Sequence, residues 1–193
     1  MKLATLKNQS RDGQLVVVSR DLNLCQAVPQ IAATLQQAIE QWERVEHSLR
    51  ATYDALNNGQ AETAHRFDEA ACHSPLPRAY QFVDGSSYLN HVELVRRARG
   101  AKMPESFYRD PLVYQGGSDS FVAPCGVVRG DEAWGIDFEA EVAVITGDIP
   151  LGATALESAN AVRLIMLMND VSLRELLRVE ITKELGFVQS KPA

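Results

Sequence analysis

Two glutamates separated by a single residue lie in a strongly apolar part of the sequence. The stretch 133–147 is AWGIDFEAEVAVITG, and successive side chains of an extended strand point to opposite faces. Glu139 and Glu141 would then lie about 7 Å apart on one face. Carboxylates at that distance repel each other unless a proton or a cation lies between them. The pattern predicts a site for a hard divalent metal ion; the alternative is an edge strand whose acidic face is simply hydrated.

The two faces of this predicted strand have opposite chemical character. The acidic face contains Asp137, Glu139 and Glu141. The other face is wholly apolar and consists of Trp134, Ile136, Phe138, Ala140, Val142 and Val144.

Four further residues elsewhere in the chain have side chains suited to the same site. Asp84 precedes a glycine and Asp170 follows a very apolar stretch; taken singly, a turn and a helix N-cap explain them. His91 follows Asp84 by seven residues, and a neutral imidazole beside a bound cation can act as a general base toward water. Lys191 can stabilise negative charge that develops on oxygen, although in isolation it is typical of a surface lysine.

The N-terminal part of the chain is predicted to form a hairpin followed by a long helix. Strands are predicted over 1–7 and 14–19, joined through an Asp–Gly turn dipeptide. Apolar residues then recur every three or four positions over 29–56, which predicts a helix. A stiff Ser-Pro-Leu-Pro connector marks the predicted boundary between domains 1–74 and 75–193.

The second domain is predicted to alternate helices, loops and one central strand. A helix is predicted over 86–99, and the Gly, Pro, Ser and Asp content of 104–132 predicts loops and short strands. The carboxylate strand over 133–147 follows. Helices are then predicted over 156–168 and over 171–185.

Bulk composition limits the classes of function. Among 193 residues, 46% are hydrophobic and 23% are charged, which is typical of a globular protein. The net charge of −6 argues against a nucleic-acid partner. No apolar run approaches the roughly 20 residues that span a bilayer, and the start lacks a signal-peptide pattern. Three cysteines without metal-type spacing predict reduced thiols and a cytoplasmic location.

Five segments together resemble the fumarylacetoacetate hydrolase family, in its two-domain bacterial type. The resemblance covers roughly residue 75 to the end, and the N-terminal part is similar to the small accessory domain of two-domain members. It implies an α+β fold with a mixed β-sandwich or β-roll catalytic core. The segments are Asp84-Gly85-Ser86-Ser87-Tyr88-Leu89-Asn90-His91, Tyr114-Gln115-Gly116-Gly117, Asp137-Phe138-Glu139-Ala140-Glu141, Asn169-Asp170-Val171-Ser172-Leu173-Arg174 and Gln189-Ser190-Lys191-Pro192.

The resemblance also implies a Mg²⁺ or Ca²⁺ site, with Mn²⁺ as a further candidate. Four carboxylates without a soft ligand fit a hard, oxygen-preferring cation rather than zinc. The implied metal ligands are Asp84, Glu139, Glu141 and Asp170, and the other implied site residues are the catalytic His91, the oxyanion-stabilising Lys191 and the substrate-contacting Tyr114.

The implied activity is hydrolysis of a C–C bond in a β-diketo acid or acylpyruvate-type 2-oxo acid by a homodimer. The same metal–enolate chemistry suits a hydratase, a decarboxylase or a tautomerase. One departure concerns the acidic residue that orients the histidine, which in shorter members stands three residues after it. Here that position is Leu94, and Glu93 is a candidate substitute.

A second departure concerns the end of the chain. Family members continue well past the Ser-Lys-Pro-Ala motif, so the sequence predicts a C-terminal truncation and, as an alternative function, a catalytically inert fragment. A metal-free ligand-binding module is a third hypothesis. It is weaker because nothing would then relieve the repulsion between Glu139 and Glu141.

Overall fold

The computed structural model describes residues 1–98, 100–184 and 186–192. The N-terminal domain contains an antiparallel sheet with strand order β1-β2-β3-β4. The predicted hairpin is confirmed, and its turn contains Gly13 at φ +63°, where an added Cβ would lie 2.6 Å from the carbonyl oxygen of Leu6. The strands are β1 (Lys2–Leu6), β2 (Gln14–Val18), β3 (Leu24–Ala27) and β4 (His65–Arg66).

The single helix predicted over 29–56 is instead two helices. α1 (Leu35–Glu40) begins after Thr34, whose hydroxyl caps the helix by accepting a hydrogen bond from the Gln37 N–H at 3.1 Å. Gln41 has non-helical backbone angles and separates α1 from α2 (Trp42–Asn57). Both helices pack their apolar sides on the sheet and build the main core of Leu15, Val17, Val28, Ala32, Leu35, Ala38, Trp42, Val45, Leu49 and Leu56.

The second domain contains three antiparallel strand pairs and three helices within the described residues. The mixture of helices and small sheets confirms the predicted α+β class. The helices are α3 (Leu89–Ala98), α4 (Ala155–Asn160) and α5 (Arg174–Ile181). The pairs are β5 (Val83–Ser86) with β6 (Leu112–Gln115), β7 (Ile136–Asp137) with β10 (Ser172–Leu173), and β8 (Ala140–Thr146) with β9 (Val162–Asn169).

The predicted helix over 156–168 is wrong for most of its length. Only α4 is helical, and the following residues form β9, which pairs with β8 from Asn169 opposite Ala140 to Val162 opposite Thr146. A continuous apolar run does not distinguish a buried helix from a strand by periodicity, so the pairing with β8 decides the conformation. The helix predicted over 171–185 is shorter, because β10 precedes α5.

The predicted strand over 133–147 is interrupted. A 3₁₀ turn (Glu132–Trp134) and Gly135 in the left-handed conformation precede β7, and two residues without strand pairing separate β7 from β8. The helix predicted over 86–99 is confirmed as α3 but begins later than predicted, at Leu89, because Ser86 ends β5. Residues 99, 185 and 193, which end two predicted helices and the predicted second domain, lie outside the described residues.

The two domains contact each other through the β8–β9 pair and through the connector. Ile145 and Leu164 pack against the N-terminal core. The Thr5 hydroxyl donates to the Pro75 carbonyl at 2.7 Å, so the connector lies against β1. No helix among residues 1–98, 100–184 and 186–192 is long and apolar enough to cross a membrane.

Candidate metal centre

Three of the predicted carboxylates come together in the second domain. Asp84 lies in β5, Glu141 lies in β8, and Asp170 follows the last residue of β9. One oxygen of each lies within 4.8 Å of an oxygen of the other two. Asp84 is only 7% exposed and Asp170 only 8%. The strand pairs β5–β6 and β8–β9 therefore bring carboxylates that are distant in sequence into one group, in which Asp84 and Asp170 are buried and Glu141 is half-buried.

The triad concentrates negative charge away from solvent. Burial, followed by the charges of Asp84 and Asp170, raises the pKa of Glu141 to about 7. Burial and the neighbouring Asp170 carboxylate also raise the pKa of Asp84. Within the described part of the chain, Oδ2 of Asp84 is buried and has no hydrogen-bond partner. An unpartnered buried oxygen beside two more carboxylates fits a hard divalent cation.

Glu139 lies beside the triad but has different partners. Its Oε2 accepts a hydrogen bond from Nζ of Lys191 at 3.0 Å, and its Oε1 accepts one from Arg174. Burial acts to raise the pKa of Glu139, but the bonds and charges of Lys191 and Arg174 outweigh burial and lower it. The Glu139 carboxylate is thus neutralised by protein cations, and its assignment as a metal ligand stays a prediction.

Lys191 and Tyr114 both contact the triad through Asp170. Nζ of Lys191 lies 2.5 Å from Oδ2 of Asp170, and the Lys191 side chain is only 9% exposed. The Tyr114 hydroxyl donates to the same oxygen at 2.9 Å. Burial and the Asp170 charge raise the pKa of Tyr114, which keeps its hydroxyl protonated as a donor. The structure therefore places both predicted residues at the predicted site.

His91 lies on α3 at the edge of the site. Its Nε2 is 3.6 Å from Oε1 of Glu139, and its side chain is 44% exposed. The candidate orienting residue Glu93 forms an ion pair with Arg97 at 3.1 Å instead, and Leu94 is exposed. The carboxylate next to His91 is therefore that of Glu139.

Comparison with known families agrees with these placements. Residues 1–78 match the Fumarylacetoacetase N-terminal domain 2, and residues 81–192 match the Fumarylacetoacetate (FAA) hydrolase C-terminal domain. The second match alone spans more than half of the chain. The chain belongs to the fumarylacetoacetate hydrolase family. No curated protein matches it. The family assignment confirms the resemblance, whereas the exact boundary between residues 74 and 75 stays a prediction.

A divalent metal is typical of the fumarylacetoacetate hydrolase family, and the triad offers a place for one. Arg174 was not among the predicted site residues. The guanidinium group of Arg174 contacts both Asp137, at 2.8 Å through Nε, and Glu139. The signal was the spacing of Asp137 and Glu139, since two carboxylates on one strand face require a counter-charge. Nothing in the sequence showed that this counter-charge comes from Arg174, which lies outside that strand.

Proposed function

We propose that this protein is a metal-dependent hydrolase that cleaves a C–C bond in a β-diketo acid of the acylpyruvate type. The observation that carries the proposal is the carboxylate triad of the buried Asp84 and Asp170 and the half-buried Glu141, with Lys191 at its border and His91 nearby. Membership of the fumarylacetoacetate hydrolase family supports the same class of chemistry.

The triad would hold Mg²⁺ or Ca²⁺, with Mn²⁺ as a further candidate. A bound cation of this kind supplies Lewis-acid polarisation and a template for the oxygens of a 2-oxo acid. Tyr114 maintains the orientation of Asp170 through its hydrogen bond, and is also the predicted substrate contact. The negative charge of Glu139 does not require the metal ion as a counter-charge, because Lys191 and Arg174 already balance it.

The remaining residues handle protons and charge. The neutral His91 imidazole accepts a proton from a water molecule, whose oxygen forms a bond to the substrate carbonyl carbon. The C–C bond then breaks, and its electron pair remains with the 2-oxo acid fragment as an enolate, which is later protonated on carbon. The Lys191 ammonium group stabilises negative charge that develops on oxygen. The products are a carboxylic acid and a 2-oxo acid.

A second candidate is decarboxylation or tautomerisation of a 2-oxo acid. The observation that favours it is the environment of His91, which is half-exposed and lacks the carboxylate three residues later, while Glu93 is bound to Arg97. A weakly oriented imidazole is a poorer base toward water, and neither of these reactions requires an attacking water molecule.

One experiment separates these candidates. The purified protein is incubated with Mg²⁺ and acylpyruvate, and both the enol absorbance and the released carboxylic acid are followed; oxaloacetate is the parallel substrate. Hydrolysis releases one acid per enol lost, tautomerisation releases none, and decarboxylation releases CO₂ from oxaloacetate. Chelation of Mg²⁺ and the His91→Asn variant are the controls. Absence of turnover of both substrates by the metal-loaded protein would exclude the proposal.

A homodimer and a cytoplasmic location belong to the same proposal. The first is carried over from the resemblance to the family, and the free cysteines Cys25, Cys72 and Cys125 accord with the second, since reduced thiols are usual in the cytosol. Light scattering of the purified chain measures the oligomeric state directly.

A further inference from the structure

A buried carboxylate outside the metal centre contacts the segment that carries Lys191. Glu180 lies in the last turn of α5 and is only 8% exposed. Burying an ionised carboxylate is costly unless its oxygens are hydrogen-bonded. The donors to Glu180 are the N–H groups of Val188 at 3.2 Å and Gln189 at 2.8 Å, to Oε1, and the N–H of Ser190 at 2.9 Å together with its hydroxyl, to Oε2.

These donors keep Glu180 ionised and occupy both of its oxygens. Hydrogen bonds from the Ser190 hydroxyl and from the backbone of Gln189 and Ser190 lower the pKa of Glu180 to about 2. Among the described residues, no lysine, arginine or histidine forms an ion pair with it. The negative charge of Glu180 is therefore stabilised by the backbone N–H groups of three consecutive residues.

The same segment is held from its other side. The carbonyl oxygen of Ser190 accepts a hydrogen bond from the Leu173 N–H at 2.8 Å, and Ser190 is fully buried. Residues 186–192 contain neither helix nor strand, so these contacts hold the segment in place of regular secondary structure. The next residue, Lys191, directs its ammonium group to Glu139 and Asp170.

We propose that Glu180 is a positioning residue for Lys191. The four hydrogen bonds that Glu180 accepts come from residues 188–190, immediately before Lys191. They fix the backbone from which the Lys191 side chain extends. Replacing Glu180 by Gln would place an amide N–H₂ group against N–H donors, which frees the segment without changing side-chain size. The consequence for turnover rests on the proposed function, since there Lys191 stabilises developing charge. A displacement of about 1 Å at such a group lowers the rate on the order of 10²-fold.

The position of Lys191 is tested first without substrate or metal. Lysines of the metal-free protein are acetylated with a limiting reagent, and the rate at each site is read by mass spectrometry. Lys191 in the native chain should react far more slowly than the exposed Lys102. Glu180→Gln should raise the Lys191 rate several-fold, whereas Glu175→Gln, which alters an exposed carboxylate on the same helix, should not. Unchanged protection of Lys191 in folded Glu180→Gln would overturn the inference.

Loss of folding does not prevent this test. If Glu180→Gln fails to fold, Ser190→Ala removes only the hydroxyl donor and keeps the three backbone bonds. A smaller rise in the acetylation rate of Lys191 is then expected. An unchanged rate would contradict the proposal, as it would for Glu180→Gln. The rates at Lys7 and Lys102, which are exposed in the native fold, report whether any change is general.

A double-mutant cycle on kcat distinguishes positioning from a general structural role. Glu180→Gln should lower kcat by about 10- to 100-fold in the native background and should have no further effect in Lys191→Met. An equal loss in both backgrounds would show that Glu180 does not act through Lys191. If the native protein shows no turnover, the proposed function fails, while the acetylation rates still decide whether Glu180 positions Lys191.

Discussion

The Tyr114 hydroxyl donates a hydrogen bond to Oδ2 of Asp170 at 2.9 Å, across 56 residues of sequence. The same oxygen lies 2.5 Å from Nζ of Lys191. Asp170 is therefore held from β6 on one side and from the C-terminal segment on the other. Hydrogen-bond partners of this kind orient carboxylates that bind metal ions, and loss of such a partner typically lowers metal affinity by about 10- to 100-fold.

Tyr114→Phe should weaken Mg²⁺ binding about 10-fold, because the hydrogen bond that orients Asp170 is lost. Isothermal titration calorimetry of the metal-free protein measures the change. Tyr108→Phe is the matched control, since Tyr108 is exposed and should leave the Kd unchanged. Equal affinities for the native chain and Tyr114→Phe would show that the hydroxyl does not orient Asp170.

Glu141→Gln and Glu139→Gln should have opposite effects on the metal-free protein. Glu141→Gln removes one of three repelling carboxylates and should raise Tm without metal while abolishing the rise in Tm on adding Mg²⁺. Glu139→Gln takes one of two carboxylate partners from each of Lys191 and Arg174, which keep Asp170 and Asp137. It should lower Tm, because two charge-assisted hydrogen bonds are weakened.

Differential scanning fluorimetry with and without Mg²⁺ measures both variants together. The Asp131→Asn variant, at an exposed carboxylate outside the site, is the control for a general effect of lost charge. A Mg²⁺ shift that survives in Glu141→Gln would contradict the assignment of that residue to the metal centre.

The N-terminal hairpin could be predicted from the sequence, whereas the strand β9 and the break between α1 and α2 could not. The hairpin β1–β2 could be predicted, because its turn dipeptide and its two strand-like runs lie within 19 residues. The strand β9 could not be predicted, since its apolar run carries no period that excludes a helix. Its conformation depends on pairing with β8. Gln41 separates α1 from α2 although the apolar period continues through both helices.

The candidate site shows the same division. The residue types of Asp84, Glu141 and Asp170 indicated hard-metal chemistry, and the structure brings these three together. The partners of Glu139 could not be predicted, since Arg174 and Lys191 reach it from 35 and 52 residues away. The role of Glu180 also depends on the path of the chain after α5, for which the sequence carried no signal.

Leu49→Ala should lower the free energy of unfolding by about 2–5 kcal/mol, because Leu49 is fully buried in the core between α2 and the sheet and truncation leaves a cavity. Leu167→Ala removes the same atoms from a side chain that is 86% exposed and should change that free energy by less than about 0.5 kcal/mol. Urea unfolding followed by circular dichroism measures both. A large loss in Leu167→Ala would show that this face of β9 is covered in solution.

The binding of Mg²⁺ should strengthen as pH rises through about 7. In the metal-free protein, burial and the charges of Asp84 and Asp170 raise the pKa of Glu141 from its usual 4.5 to about 7, so below that pH Mg²⁺ must displace a proton. The apparent Kd should therefore fall up to about 10-fold per pH unit below 7 and level off above it. Titration calorimetry in two buffers of different ionisation enthalpy measures both the Kd and the released proton.

The same shift predicts how stability changes with pH when metal is absent. The folded protein keeps the Glu141 proton to a higher pH than the unfolded chain does, so between about pH 4.5 and about pH 7 the folded state binds more protons. The free energy of unfolding should then decrease as pH rises through this interval and become flat above it. Glu141→Gln should remove most of this decrease, and Asp84, whose pKa is also raised, should account for the rest. Stability that increases with pH across this interval in the native chain and not in Glu141→Gln would contradict the raised pKa.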